Sequence, residues 1–423
     1  MSRWRRLFAH RLTRNTAALM FIQLVNYGVP LIVLVHLTRV LGLERYGVVV
    51  FAVGIVQFSA VLVDSGFTLA ATARIAHHRD RPTVVNAIVS GIMGVKTAMY
   101  FLVATIVLAF ALGTTRYSEH TTLLLLTLVP LFGLTFQPIW LFHGLERMEF
   151  MSVVMLITRV CYALGILLLV DAPADYLWVP TIDGLAQLLA LTMYLVLMHR
   201  LGFRLQVPRA RNIRYAVKLA SGFFASRLAV TAYQSSAPLV LGALATPAAT
   251  ALYALAEQFY KAMQQLFVPL VQALYPYMAR ERDLRLLIKA NMLSIIAVVL
   301  AAAAVYASAP WIIGRIFGSP WLDALPILHV FLVAIVVHVM AVMSGYPLSV
   351  ALGRMDVANT SVIYGAIVFA IGLAGLVLMD RLGAVSLALL MIVAEAYVFV
   401  HRALALWPVA YLQLKQRPKE LTV

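Results

Sequence analysis

Eight charged side chains stand inside long apolar runs of this sequence, and their types point to two kinds of chemistry. Four are cations, Lys96, Arg159, Arg227 and Lys261, and four are acids, Asp64, Asp183, Glu257 and Glu395. Each cation lies about 9–13 residues from the nearest flanking loop, which at 1.5 Å per residue is ~14–20 Å deep if the runs are membrane helices. An ionised group at a bilayer centre costs at least ~2.5–3.5 kcal/mol, so such groups face a bundle interior or a wet cavity. Cations in that position hold anionic ligands, Arg by bidentate capture and Lys as a point charge. Asp183 and Glu395, alone in their runs, suit proton or cation coupling, with Glu257 as a third candidate. The plainer reading is that the cations neutralise the acids. It fits Glu257 and Lys261 best, which are four residues apart with Glu leading. Arg227, in "SGFFASRLAVTAYQSSAP", has no acid within nine residues, so its partner is another run or a substrate. Asp64 is expected to cap a helix or pair with Arg74. His329 and His338 could relay protons, although a hydrogen-bonded histidine facing the bundle is the simpler role.

The elements that carry these residues follow from composition. Of 423 residues, 63% are apolar and 12% charged, and the mean hydropathy is +0.93. Soluble domains hold roughly 45–50% apolar and about 25% charged residues. A spanning helix needs ~20 apolar residues. The chain therefore reads as an all-α polytopic membrane protein of about 12 transmembrane helices, at 16–40, 46–70, 84–112, 120–143, 149–170, 175–198, 219–243, 248–278, 287–308, 325–351, 357–379 and 384–411. Of the 33 Lys and Arg, 24 fall on the two tails and on the loops after even-numbered runs, against five after odd-numbered runs. That asymmetry places both termini in the cytoplasm. The apolar stretch after the basic N-terminal segment "MSRWRRLFAHRLTRN" is too long for a signal-peptide core and reads as a first anchor. Trp140, Trp178, Trp311 and Trp321 fall at run ends, as interface anchors do. The single cysteine, Cys161, excludes a disulfide framework and reads as a small buried apolar residue.

The longest loop, "HRLGFRLQVPRARNIRYAVK", divides the chain into an N-terminal six-helix lobe, 1–205, and a C-terminal six-helix lobe, 206–423. Its basic, amphipathic character suits a cytoplasmic connector lying on anionic lipid. Two echoes support an internal repeat. Val40-Leu41-Gly42 recurs as Val240-Leu241-Gly242, and Arg147-Met148-Glu149 is matched by Arg354-Met355-Asp356. There is no GxxxxGK[ST] loop, HExxH or GxSxG, so neither ATP-driven transport within this chain nor enzymatic catalysis is expected, and no cofactor or metal. The net charge of +16 is met by topology and anionic lipid, not by nucleic acid.

Three segments resemble bacterial polysaccharide-unit flippases, those that serve O-antigen and exopolysaccharide synthesis. In "LTRVLGLERYGVVVFAVGIVQFSAVLVDSGFTLAATARIA" the matching positions are Arg39, Leu41, Gly42, Tyr46, Gly47, Asp64, Gly66, Phe67, Arg74, Ile75 and Ala76. "PIWLFHGLERMEF" carries His143 where the family usually has Gln, and "ALYALAEQFYKAMQQLFVPLVQALYPYMAR" resembles the eighth span. This family belongs to the multidrug/oligosaccharidyl-lipid/polysaccharide exporter superfamily. The resemblance implies two six-helix, MATE-like lobes around a cationic cavity in the bacterial inner membrane. It also implies a polyprenyl-diphosphate-linked oligosaccharide turned from the cytoplasmic to the periplasmic leaflet by alternating access. Membrane lipids and other polysaccharide-assembly proteins are the expected partners. Among the buried cations Arg227 and Lys261 suit that cavity best, then Arg159 and Lys96. A cation-coupled drug antiporter of the same superfamily remains the first alternative, resting on Asp183, Glu257 and Glu395. A membrane polysaccharide polymerase or ligase is less favoured, since the longest outward loop, "APWIIGRIFGSPWLDA", is short and mostly apolar. A non-transporting scaffold is the remaining alternative.

Overall fold

The structure is a computed structural model that describes residues 2–221 and 236–416, with side-chain surroundings from residue 28 to residue 415. Hydrocarbon offers no hydrogen bonds to a backbone, so a chain this apolar satisfies its N–H and C=O groups within helices. Among the described residues all regular structure is helical. Nine of the helical stretches described are long and apolar enough to cross a membrane, from Gly28–Asp64 to Ala384–Lys415.

Two compact units divide the chain, Met1–Ala225 and Ser226–Val423. The first holds α1 (Ser2–Asp64), α2 (Phe67–His78), α3 (Pro82–Gly113), α4 (Thr121–Leu126), α5 (Leu128–Phe136), α6 (Ile139–Gly144), α7 (Met148–Leu169), α8 (Trp178–Arg200) and α9 (residues 210–221). Here α8 packs on α5 and α7, and α2 packs on α6. The second holds α10 (Ala237–Leu244), α11 (Pro247–Glu281), α12 (Leu284–Ile312), α13 (Leu325–Met343), α14 (Tyr346–Leu352), α15 (Met355–Leu378) and α16 (Ala384–Gln416). There α16 packs on α13 and α15, and α11 on α13. Large apolar side chains such as Phe101, Ile106, Leu168, Leu300 and Leu378 stand exposed, as a lipid-facing surface requires.

Several runs that read as single spans are broken helices. The runs 16–40 and 46–70 join in α1, interrupted at Gly42, whose φ of 68° and ψ of −178° suit a residue without Cβ. The second run then turns through Ser65 and Gly66, both at positive φ, into α2. The run 120–143 becomes α4, α5 and α6, and 325–351 becomes α13 and α14.

One sequence echo is also a structural one. After α6, Glu146 adopts φ 59° and Arg147 N–H donates to the Phe142 carbonyl at 2.9 Å. After α14, Gly353 adopts φ 69° and Arg354 N–H donates to the Ser349 carbonyl at 2.8 Å. Each is a helix end closed by a left-handed residue and a long backbone bond. In each, the arginine then reaches the acid two residues on, Glu149 or Asp356. The other echo does not carry over, because Gly42 breaks α1 whereas Gly242 lies buried within α10.

Three expectations change. Trp140 and Trp321 are 1% and 2% exposed, so they are core residues and not interface anchors, while Trp178 and Trp311 remain exposed. Trp140 follows the break at Pro138 and is carried inward with α6 into the cluster of Phe67, Ile75, Phe142 and Tyr194. Cys161 is exposed on α7, not buried.

A charge that belongs to a distant helix packs against the break between α13 and α14. Arg402 on α16 is 5% exposed. Its guanidinium donates to Ser361 Oγ at 2.8 Å, to the Ala358 carbonyl at 3.2 Å and to the Ala341 carbonyl. A Cβ on Gly345 would stand 2.6 Å from Arg402 Nη1 and 3.0 Å from the Val342 carbonyl. Gly345→Ala is therefore expected to lose about 1–3 kcal/mol. Gly375→Ala in α15, with no atom within 4 Å of its Cβ position, should stay within ~0.5 kcal/mol. Thermal unfolding of the two variants in detergent checks the difference.

Candidate functional site

Residues Glu257, Tyr260, Lys261, Gln264 and Gln265 recur along α11 at spacings of three and four, so they share one helix face. That face lines a cavity of about 380 Å³ whose other walls include His338 of α13 and Glu395 of α16. Valines, Met343, Met391 and Phe267 complete it, so the polar groups act across a low-dielectric space.

Two ion pairs shape the cavity. Lys261 Nζ donates to Glu257 Oε2 at 2.8 Å, with the Lys261 side chain 45% exposed and that of Glu257 4%. The second carboxylate oxygen, Glu257 Oε1, is buried and has no hydrogen-bond partner among the described residues. His338 Nδ1 lies 3.0 Å from Glu395 Oε1. With Glu395 ionised, that nitrogen is the donor. The Tyr260 ring meets His338 edge-on at 5.9 Å and stacks on Phe331 at 5.0 Å, which fixes the imidazole from its other side. A carboxylate with a spare oxygen beside a mobile ammonium can take up a small cation or a proton. The ammonium, once released, can meet an anion.

Lys96, Asp64, Asp183 and Arg159 lie in the first unit. Lys96 Nζ donates to Asp64 Oδ1 at 3.2 Å, and the side chains are 4% and 22% exposed. Asp64 also caps α2, accepting from Thr68 N–H at 3.3 Å and Thr68 Oγ at 2.9 Å. Its partner is thus Lys96, while Arg74 donates instead to the Tyr215 hydroxyl at 2.6 Å. Asp183 on α8 accepts from Gln187 Nε2 at 3.1 Å, and Gln187 Oε1 in turn accepts from Gln137 at 3.0 Å. Arg159 is half-buried on α7 and engaged with neighbours. Arg227 lies outside the described residues. Lys261, Glu257 and Glu395 are therefore brought into one cavity, whereas Lys96, Arg159 and Asp183 stand in the other unit. Among the described residues no three His, Cys, Asp or Glu are grouped to hold a metal ion.

Three contributors escaped the sequence reading. Tyr260 and Gln264 sit three and seven residues after Glu257, so helical spacing alone could have found them. Arg402, seven residues after Glu395 on α16, carries the same spacing signal.

Removing one partner of a buried pair strands the other charge, which costs about 3–5 kcal/mol. Lys96→Met should therefore lower thermal stability more than the double change Lys96→Met with Asp64→Leu. A double-mutant cycle read by unfolding in detergent measures that coupling, and additive effects would refute it.

Against known proteins, residues 12–282 match the model of the family described as polysaccharide biosynthesis protein. A protein of Escherichia coli (strain K12) named "Putative O-antigen transporter" is 27% identical over 268 residues, covering 63% of this chain and 64% of its own length. A protein of the same name from Shigella dysenteriae is 26% identical over 272 residues, covering 63% of this chain and 67% of its own. This chain thus spans a little under two thirds of the first relative. Among solved structures, the inward closed conformation of the lipid II flippase MurJ superposes with a TM-score of 0.75 at 10% identity, covering 94% of this chain and 91% of that one. An inward-facing multidrug resistance MATE family transporter of the MOP superfamily gives 0.65 at 12% identity, covering 92% and 96%. These identities carry the fold alone, that of MATE-like and MurJ-like membrane proteins. With its match extending through the first unit and along α11 to residue 282, the chain belongs to the polysaccharide biosynthesis protein family.

Proposed function

We propose that this protein is a flippase of the bacterial inner membrane that turns a polyprenyl-diphosphate-linked oligosaccharide unit from the cytoplasmic to the periplasmic leaflet, for surface polysaccharide synthesis. The observation that carries the reading is the family match over residues 12–282 on an all-helical, lipid-facing fold. The relatives named as O-antigen transporters and the MurJ-like fold support it further. We take the architecture to be twelve spans in two six-helix lobes with both termini cytoplasmic, as the charge asymmetry of the loops requires. The protein works as a transporter and not as an enzyme, in alternating access, with membrane lipids and other assembly proteins around it.

The physical difficulty of the reaction is the diphosphate, which hydrocarbon leaves unsolvated. Lys261 and Arg227 are the cations we assign to it first, then Arg159 and Lys96. Lys96 must leave Asp64 before it can take part, which makes it the weaker candidate. Lys261 is better placed, because its side chain is half-exposed to the cavity while Glu257 is buried. A proton or small cation on Glu257 would release the ammonium to the diphosphate. Departure of that cation would return Lys261 to its carboxylate and expel the head group. Glu395, linked to His338, is a second coupling group in the same cavity, and Asp183 a third in the other unit.

Depleting the protein in its host should trap lipid-linked units in the cytoplasmic leaflet, out of reach of a glycosidase added to the periplasm. Units accumulating outside would instead identify a polymerase or ligase. No accumulation at all would favour a cation-coupled drug antiporter. In reconstituted vesicles, Lys261→Gln should slow flipping about ten-fold or more, the factor that ~1.4 kcal/mol of lost charge-assisted contact produces. Arg227→Ala should impair flipping more than loss of any loop arginine. Glu257→Gln, which leaves Lys261 without its competitor, should retain diphosphate binding while turnover loses its dependence on the ion gradient. Full gradient dependence in Glu257→Gln would refute the exchange.

A further inference from the structure

The segment between α8 and α9 and the first turns of α9 carry Arg204, Arg209, Arg211, Arg214 and Lys218, all exposed. No acid occurs between Asp183 and Glu257, so nothing in this stretch neutralises them locally. Interleaved with these cations are apolar side chains that also point outward. Leu205 is 51% exposed, Val207 88% and Val217 51%. A cytoplasmic loop that met only water would have no reason to present them. Meanwhile Phe203, Ala216 and Ala220 are buried in the first unit, Arg204 N–H donates to Asn86 Oδ1 at 3.1 Å, and Asn212 Nδ2 reaches Ser90 Oγ at 3.4 Å. The segment is thus fixed along one side of α3, with its cations and apolar side chains facing away.

Depth along α3 says what lies opposite. Its 32 residues extend ~48 Å, against about 30 Å of hydrocarbon. Asn86 and Ser90 stand four and eight residues from its start at Pro82, about 6–12 Å along the axis, which brackets the hydrocarbon boundary at about 9 Å if the ~18 Å excess is shared equally by the two ends. The other basic residues nearby, Arg74 and Arg79, lie at the end of α2 on this same side, tied in by Arg74 to Tyr215 and by Arg79 to Glu146. Cations level with the head groups, with apolar side chains between them, match the boundary of an anionic bilayer.

We propose that residues 203–218 form an interfacial anchor that seats Leu205, Val207 and Val217 among acyl chains and binds anionic lipid head groups through Arg204, Arg209, Arg211 and Arg214. The occupant is the phospholipid surface itself, chosen by charge complementarity and by the apolar side chains that a soluble acidic partner would leave in water.

The single cysteine makes the test direct. On a Cys161→Ser background, Val207→Cys carries a nitroxide spin label. The full chain is reconstituted in vesicles of phosphatidylcholine alone or of phosphatidylcholine with phosphatidylglycerol. In the anionic vesicles the label should gain collisions with oxygen and lose them with a water-soluble nickel chelate. Raising salt from about 0.1 M to about 1 M, which shortens the screening length from ~10 Å to ~3 Å, should reverse this. So should the triple change of Arg209, Arg211 and Arg214 to Gln, at about five-fold weaker lipid association per arginine removed. The salt arm needs no charge variant and stands if the triple variant fails to fold. A label equally buried in neutral vesicles, or insensitive to salt, would overturn the role of the arginines. A label in water in both vesicles would overturn the anchor. Loss of collisions with oxygen and with the chelate together would assign the surface to a second copy of this chain, which also overturns it.

Discussion

In hydrocarbon a polar group without a partner costs several kcal/mol, and this constraint decides where every charge inside the protein can stand. It explains why the described chain is helical, since only helices close their own backbone bonds in lipid. It also explains why the acids within these helices meet donors. Asp64 has Lys96 and Thr68, Glu395 has His338, Glu257 has Lys261, and Asp183 has Gln187. The outer surface inverts the pattern of a soluble protein, with phenylalanine and leucine exposed and lysine drawn inward.

The same constraint separates charges enclosed by their partners from charges left open to exchange. Arg402 is enclosed and answered by three oxygen acceptors on two other helices, which leaves nothing for a ligand. Lys96 is almost as enclosed. The Glu257 and Lys261 pair is different, because one carboxylate oxygen is unanswered and the ammonium is half-exposed in a cavity. An interaction left open on both sides can be exchanged for another at little cost.

Much of this was legible in the residues. Hydropathy predicts which stretches are helical, and a four-residue spacing predicts the Glu257 and Lys261 pair. The Arg-Met-acid echo marks two turns that share their backbone geometry. What could not be read was pairing across the sequence. His338 and Glu395 are 57 residues apart, and Asp64 finds Lys96 where the nearer Arg74 seemed the natural partner in sequence. Trp140 looked like an anchor because hydropathy locates a helix end but not the inward fold that Pro138 imposes. Arg402 lies within the last apolar run, but its three acceptors on other helices are not visible in the sequence.

The corner between α13 and α14 is an interruption of the backbone, and such interruptions usually serve as joints. Here the guanidinium of Arg402 stands against it beside Gly345, bonded to the Ala341 carbonyl on α13 and to Ala358 and Ser361 on α15. Gly345 leaves room for nothing else. The contact beside the corner is therefore a weld of α16 to α13 and α15. Since His338 and Glu395 sit on α13 and α16, the helices it fastens, their separation is preserved through any motion that leaves the weld intact. The remaining wall of the cavity is α11, which carries Lys261 and is not held by this guanidinium.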